Sequence, residues 1–314
     1  MILTMILRRL GMGVVTILTA AIISFLLVHS MDGSPGQIKA GMGSTAEEIA
    51  AINHEIGWDL PLPTQFANWF FNFIQGDLGT SFLDGRDLSS EIWTRIQVTA
   101  SLALFGAIVT ALIGVTVGVV AAVRGGIIDR VLNSTSNIGV ALPSYWLAIL
   151  LVLAFAITLP LLPPTGYVSF EEDPASAPLY LVLPVLGLAL PAAAGLARMS
   201  RAAMLDAFAA EHIRTLRAMG EPRFTLIYVH VLRLASVQIV SMIGMNFILL
   251  FGGTVMVEQL FVLPGLGSGA MEAIQSHDVP QIQATVVITT VVVVISSLVT
   301  ELVIMFLDPK VRTK

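Results

Sequence analysis

Six apolar runs, each free of Asp, Glu, Lys and Arg, constrain this chain more than any other feature. They lie at residues 10–30, 96–123, 131–170, 179–197, 234–257 and 279–300. A membrane-spanning helix needs about 20 predominantly apolar residues. The third run exceeds one span, and Pro160, Pro163 and Pro164 end its helix near residue 159. Hydrocarbon offers the backbone no hydrogen-bond partner, so only helices or closed barrels cross it. None of the runs shows a barrel strand's polar–apolar alternation. The pattern therefore predicts an all-α membrane protein with six transmembrane helices. The first span falls within 1–30 and the others at about 97–123, 136–159, 179–198, 234–257 and 281–307. The remaining parts are a helical insertion at 31–95, a second helical segment at 202–232 and a tail at 308–314.

Composition excludes other classes. Charged residues make up 12% of the chain, against about 25% in soluble proteins, too few to cover a water-soluble globule of this size. A net charge of −5 and three scattered lysines (Lys39, Lys310, Lys314) speak against nucleic-acid binding. With no cysteine there is no disulfide and no thiolate chemistry. The first run follows Arg8 and Arg9 like a signal peptide. It is longer than a signal core of about 7–15 residues and five spans follow it, so it is read as a span.

Basic residues orient the chain. With the N-terminus inside the cell, 13 of the 16 Lys and Arg residues fall on cytoplasmic segments, and Lys39, Arg86 and Arg95 fall outside. This bias sets topology, so both termini are expected in the cytoplasm and 31–95 outside. In that insertion, Ser44 and Thr45 precede Glu47 and Glu48 by three residues, forming overlapping capping boxes that predict a helix up to Gly57. Pro61 and Pro63 interrupt the chain, and a further helix should carry Trp69, Phe70 and Phe73 before Gly76.

The segment 198–233 carries six arginines. Residues 202–219 read as one helix, stopped by Gly220 and Pro222. Leu205, Phe208, His212, Leu216 and Met219 would share one face. Pro222 suits the first turn of a new helix running into the fifth span. This describes either a helical hairpin protruding into the cytoplasm or an amphipathic helix on anionic lipid. In the loop after the fifth span, Gly265, Gly267 and Gly269 fit a tight turn or a path dipping back into a pore. Gly114 and Gly118 form a small-xxx-small pair that lets helices approach closely.

Energy-coupling chemistry is missing. The first five runs contain no Asp, Glu, Lys, Arg or His except His29, and Glu301 lies near the cytoplasmic end of the sixth span. His54 and Glu55 begin a zinc-protease motif, but Trp58 occupies the second histidine's place, and no P-loop is present. A transporter with this content is passive or takes its energy from a partner.

The stretch Glu211-His212-Ile213-Arg214-Thr215-Leu216-Arg217-Ala218-Met219-Gly220 resembles the cytoplasmic-loop signature of binding-protein-dependent ABC importer permeases. It is most similar to the dipeptide/oligopeptide/nickel branch, whose usual form is Asp-Tyr-Val-Arg-Thr-Ala-Arg-Ala-Lys-Gly. Other pieces resemble the first permease subunit of that branch. They are Gly76-Asp77-Leu78-Gly79-Thr80-Ser81, Leu142-Pro143-Ser144-Tyr145-Trp146-Leu147, Val257-Glu258-Gln259-Leu260-Phe261, Pro264-Gly265-Leu266-Gly267 and Asp308-Pro309-Lys310-Val311-Arg312. The chain departs at Glu211, His212, Leu216, Met219 and Glu221, where the family has Asp, Tyr, Ala, Lys and Leu.

The resemblance implies a type I ABC importer permease fold in a prokaryotic plasma membrane. It implies a second homologous permease, two ABC ATPase subunits that bind ATP and Mg, and an extracytoplasmic substrate-binding protein; this chain itself would hold no cofactor, metal or catalytic residue. ATPase coupling would fall to Glu211, His212, Arg214, Thr215, Arg217, Ala218 and Gly220. Glu258, Pro264, Gly265, Leu266 and Gly267 would form the extracytoplasmic gate or the contact with the binding protein. Di- or oligopeptides are the implied cargo, with nickel, haem or another small solute as alternatives. A passive channel or secondary carrier is one rival class, and a non-transporting membrane scaffold is the other.

Overall fold

The computed structural model describes residues 2–30, 33–41 and 43–307. The tail 308–314, with its family-like ending, lies outside the described residues. The helices are α1 (Ile2–His29), α2 (Pro35–Ala40), α3 (Ala46–Glu55), α4 (Leu62–Ile74), α5 (Leu88–Arg124), α6 (Gly126–Ala141), α7 (Ser144–Val152), α8 (Ala177–Ala209), α9 (Glu211–Ala218), α10 (Arg223–Thr225), α11 (Leu232–Phe261), α12 (Leu266–Ser276) and α13 (Val279–Leu307). Two π-helical stretches interrupt the α geometry, Leu153–Thr158 after α7 and Leu226–Val231 between α10 and α11. Among the described residues there is no strand, and the expected all-α membrane architecture is what forms. Five helical stretches are long and apolar enough to cross a bilayer unaided: Leu7–His29, Leu88–Arg124, Ala177–Ala209, Arg223–Phe261 and Val279–Phe306.

The third span differs from expectation. A single helix over 136–159 does not form; Gly126–Ala141 and Ser144–Thr158 meet at a bend of 97°. The cause is Pro143, which forces the preceding Leu142 out of the helical region to φ −82, ψ 122. At the other end the π-helical stretch stops at Thr158, just before Pro160. The loop after the fifth span is not a plain tight turn. It contains α12, 11 residues long, which ends at His277 in the left-handed region (φ 58). Helix α11 also runs on to Phe261 and so includes Glu258, an ionisable group that the charge-free run left outside the fifth span.

Of the two overlapping capping boxes expected in the insertion, only the one at Thr45 forms; Ser44 Oγ instead donates to the Ala40 carbonyl (2.7 Å). Thr45 accepts the Glu48 amide while the Glu48 carboxylate accepts the Thr45 amide, and α3 follows. A second such box, Ser34 with Gln37, starts α2. Pro61 caps α4, whose Phe66, Trp69, Phe70 and Phe73 form a run of ring contacts 5.6–6.4 Å apart.

The chain divides into two compact units. One comprises Leu3–Val98 with Pro264–Ile295. Within it, Arg95 joins Glu91 (2.7 Å), Glu272 (3.0 Å) and the Gly265 carbonyl (3.2 Å). Arg86 reaches Glu91 (2.9 Å) and the Gln281 side-chain oxygen (2.8 Å).

The other unit is built mainly of Thr99–Leu263. Its centre is α8, which packs against α6, α7 and α11 and buries Leu181, Leu183, Leu188, Leu196 and Met204. Pro184 and Pro191 lie inside α8 without ending it, as membrane helices tolerate. Helix α5 reaches α8 through the small-residue pair. A Cβ at Gly118 would stand 2.5 Å from the Ala197 carbonyl oxygen and 2.9 Å from the Arg201 amide; one at Gly114 would stand 2.8 Å from Leu196 Cβ. Only glycine permits this approach of backbone to backbone. Gly118→Val therefore forces α5 away from α8 at a cost of about 1–3 kcal/mol. The purified chain should melt about 1.5–5 °C lower by thermal-shift chromatography in detergent. Gly11→Val, where an added Cβ meets nothing within 4 Å, should leave the transition in place.

Candidate functional site

The arginine-bearing segment is not the single 202–219 helix expected. Helix α8 continues without interruption to Ala209, and Ala210 then adopts an extended conformation (φ −61, ψ 138) before α9 begins. Nothing local demands this break, because alanine is the strongest helix former. Packing demands it. The break turns α9 so that Ile213, fully buried, enters a core with Ala203, Met204 and Ala207 of α8, Val119 of α5, Leu226, Ile227 and Val231 of the second π stretch, and Ala235 and Ile239 of α11. Leu216, one turn on, packs against the same core. The expected apolar face is accordingly split. His212 and Met219 are exposed, and Ile213, absent from that face, is the anchor.

The far end of α9 is closed by a Schellman arrangement. The Glu221 amide donates to the Leu216 carbonyl (3.1 Å) and the Gly220 amide to the Arg217 carbonyl (3.2 Å). This requires a left-handed residue at Gly220 (φ +86), which costs a residue with a Cβ about 1–2 kcal/mol. Pro222 then opens the next helix. Arg223 Nη2 donates to the Val123 carbonyl at the end of α5 (3.3 Å), so the hairpin is also tied to that helix.

With Ile213 and Leu216 turned inward, Glu211, His212, Arg214, Thr215, Arg217, Ala218 and Gly220 are all exposed. Glu211 lies in the first turn and Arg217 in the last, each complementing the helix dipole. Among the described residues, neither Arg214 nor Arg217 has an ion-pair partner. Arg201, by contrast, is engaged. Its guanidinium grips Asp129 of α6 with Nε and Nη2 on the two carboxylate oxygens, the second contact at 2.6 Å. The surface of α9 thus offers two free guanidinium forks on a rigid base.

The second expected group does not form one site. Glu258 is fully buried in α11 and accepts a hydrogen bond from Thr99 Oγ1 (2.7 Å). In the other unit, Pro264 is exposed, whereas Gly265, Leu266 and Gly267 are buried at the start of α12. Ser268 Oγ accepts the Gly265 amide (3.0 Å) and fixes that start. The sequence reading missed Ile213 and the Asp129–Arg201 pair. The spacing of Ile213 and Leu216, three residues apart, was the one available signal for the first; an ion pair across 72 residues leaves none.

Comparison with known proteins accords with this architecture. The family model "Binding-protein-dependent transport system inner membrane component" matches residues 114–313, and the N-terminal model of the same class of membrane component matches 2–103. The chain is 37% identical over 313 residues to a Brucella melitensis protein with the provisional name peptide transport system permease protein, covering 99% of each. It is 33% identical over 308 residues to the glutathione transport system permease protein GsiC of Pectobacterium atrosepticum, covering 98% of each. Among solved structures, an inward-facing MetNI methionine ABC transporter aligns with a TM-score of 0.56 at 18% identity, over 69% of this chain and 96% of that one. That likeness concerns the fold.

Ile213→Ala removes the anchor and leaves a cavity, at a cost of about 2–5 kcal/mol. Hydrogen exchange should then show α9 amides losing protection by about thirtyfold or more while the buried middle of α8 keeps its own. Arg217→Ala should leave both unchanged.

Proposed function

The chain belongs to the binding-protein-dependent transport system inner membrane component family, the permease subunits of ABC importers, and from this we propose that it is the first permease subunit of a peptide importer. It is a transport subunit and not an enzyme. In our reading a second homologous permease completes the pathway, two ATPase subunits supply ATP hydrolysis, and an extracytoplasmic binding protein delivers cargo. Both termini face the cytoplasm of a prokaryotic cell, as the 13-to-3 division of basic residues favours.

One observation carries the coupling assignment: α9 shows its charged face outward while its root is shared with α5, α8 and α11. Arg214 and Arg217 hold acidic groups of an ATPase subunit, and Glu211, His212 and Thr215 complete the contact. When ATP closes the ATPase pair, α9 is displaced as a body. Gly220 and Pro222 hold its angle to the helix that becomes α11, so the displacement passes into the spans. The ATP-bound pair must favour one state of the bundle over the other, or nothing moves. On the outer side, Pro264 and the insertion at 31–95 meet the binding protein. Gly265, Leu266 and Gly267 position α12 behind that surface, and Glu258 acts from within α11.

The cargo assignment follows the relatives. Their names point to peptides and to glutathione, itself a tripeptide. Uptake of labelled dipeptides by the reconstituted complex, in competition with glutathione, nickel and haem, tests it; uptake of nickel or haem alone would overturn it.

Reversing both charges (Arg214→Glu with Arg217→Glu) tests coupling. A charge-assisted hydrogen bond contributes about 1.5–3 kcal/mol, so ATPase docking should weaken by about a hundredfold or more and ATP-driven uptake should fall to background. Membrane insertion and the melting transition should stay as in the parent. Undiminished uptake at normal expression would remove α9 from the mechanism.

A further inference from the structure

One cavity lies entirely within the unit of Leu3–Val98 and Pro264–Ile295. Its volume is about 320 Å3, the share of about ten water molecules and within the range of small-molecule sites. Part of its wall is fixed by hydrogen bonds. The His29 ring stacks on Trp58 with centroids 4.1 Å apart and planes at 9°. His29 Nε2 meets Gln65 Oε1 at 2.9 Å, and Gln65 Nε2 donates to the Trp58 and Leu60 carbonyls, each at 2.8 Å. A wall held this way does not need to be ordered by a ligand.

Gln283 also lines the cavity. It is 4% exposed, and among the described residues its side-chain amide has no hydrogen-bond partner. Gln281, two residues earlier, is the contrast: it is fully buried, but accepts from Arg86 (2.8 Å) and donates to the Gly269 carbonyl (3.3 Å). The Gln283 amide is not sealed off in the packing: it keeps accessible surface where it lines the cavity, so water there, or a ligand in its place, can meet it.

The remaining lining favours a cationic ligand through one solvent-exposed carboxylate. It contains the carboxylate of Asp77 and no Lys or Arg. One Asp77 oxygen accepts the Gly79 amide (2.8 Å), which leaves the other free. Trp58 and Trp69 supply aromatic surface. A carboxylate beside aromatic rings favours an organic ammonium ion, and the free amide favours a hydrogen-bonding group elsewhere on the same molecule.

We propose that this cavity is a binding site for a small organic ammonium ion that also carries a hydroxyl or amide group. The site stands apart from the cargo assignment and does not depend on it.

Calorimetric titration of the full chain in lipid nanodiscs with tyramine tests the site. Saturable one-to-one binding is expected, with the neutral alcohol tyrosol and the anion para-hydroxyphenylacetate weaker by about tenfold or more. Phenethylamine, which lacks the hydroxyl, should bind about tenfold more weakly than tyramine, and Gln283→Leu should erase that difference without lowering the melting temperature. Asp77→Asn should erase the preference for tyramine over tyrosol. The proposal fails if no saturable binding occurs, if empty nanodiscs give the same heat, or if Gln283→Leu leaves the tyramine–phenethylamine difference intact. It also fails if Gln283→Leu lowers the melting temperature, because the amide would then be part of the packing.

Discussion

Hydrocarbon has no hydrogen bonds to offer, and this fold is organised around that fact. The backbone withdraws into helices, and the polar side chains along them turn to nearby carbonyls: Thr16 to Met12 and Ser241 to Val237. Helix breaks are few, and the freed groups are answered locally. The Leu142 amide donates to Gly139, the Ala210 amide to Ala207 and the Val262 amide to Gln259. Even the buried carboxylate of Glu258 has a hydroxyl donor in Thr99. Where the chain departs from a straight rod, packing or a proline has overridden the helix, and the backbone still closes its own account.

The same constraint gives α9 its mechanical character. A short helix of eight residues has little stability alone. Here, burying Ile213 supplies about 1.5–3 kcal/mol, and the partners it meets belong to α5, α8, α11 and the π stretch. A close-packed interior transmits strain because it has few voids to absorb it. Displacing α9 therefore disturbs several long helices together. The Schellman closure at Gly220 and the Arg223 tie to α5 hold the far end of the hairpin.

Much of the architecture could be read from residue order, and the reasons are physical. The charge-free runs announce spans because a buried charge is costly in lipid, and the Thr45–Glu48 box fixes α3 because its partners are three residues apart. The bend at Leu142 follows from Pro143, yet within a long apolar run it was hidden by uniform hydropathy. The break at Ala210 had no local cause to find, since it exists to bury Ile213 against residues up to 94 positions earlier in the chain, at Val119. Gly220 was legible as a helix stop, although its left-handed geometry and two closing bonds needed coordinates. The arginines of α9 stood out, whereas the inward residue that aims them looked like any other isoleucine.

The π stretch at Leu226–Val231 bears on how the hairpin and the span are set relative to each other. A single widened turn accommodates one residue more than an α-helix would, which shifts the angular phase of everything beyond it by about 100°. The direction in which α9 points and the rotation of α11 about its own axis are therefore adjusted separately. A lineage gaining or losing one residue there could re-aim the exposed face of α9 while the sequence facing the lipid stayed as it was.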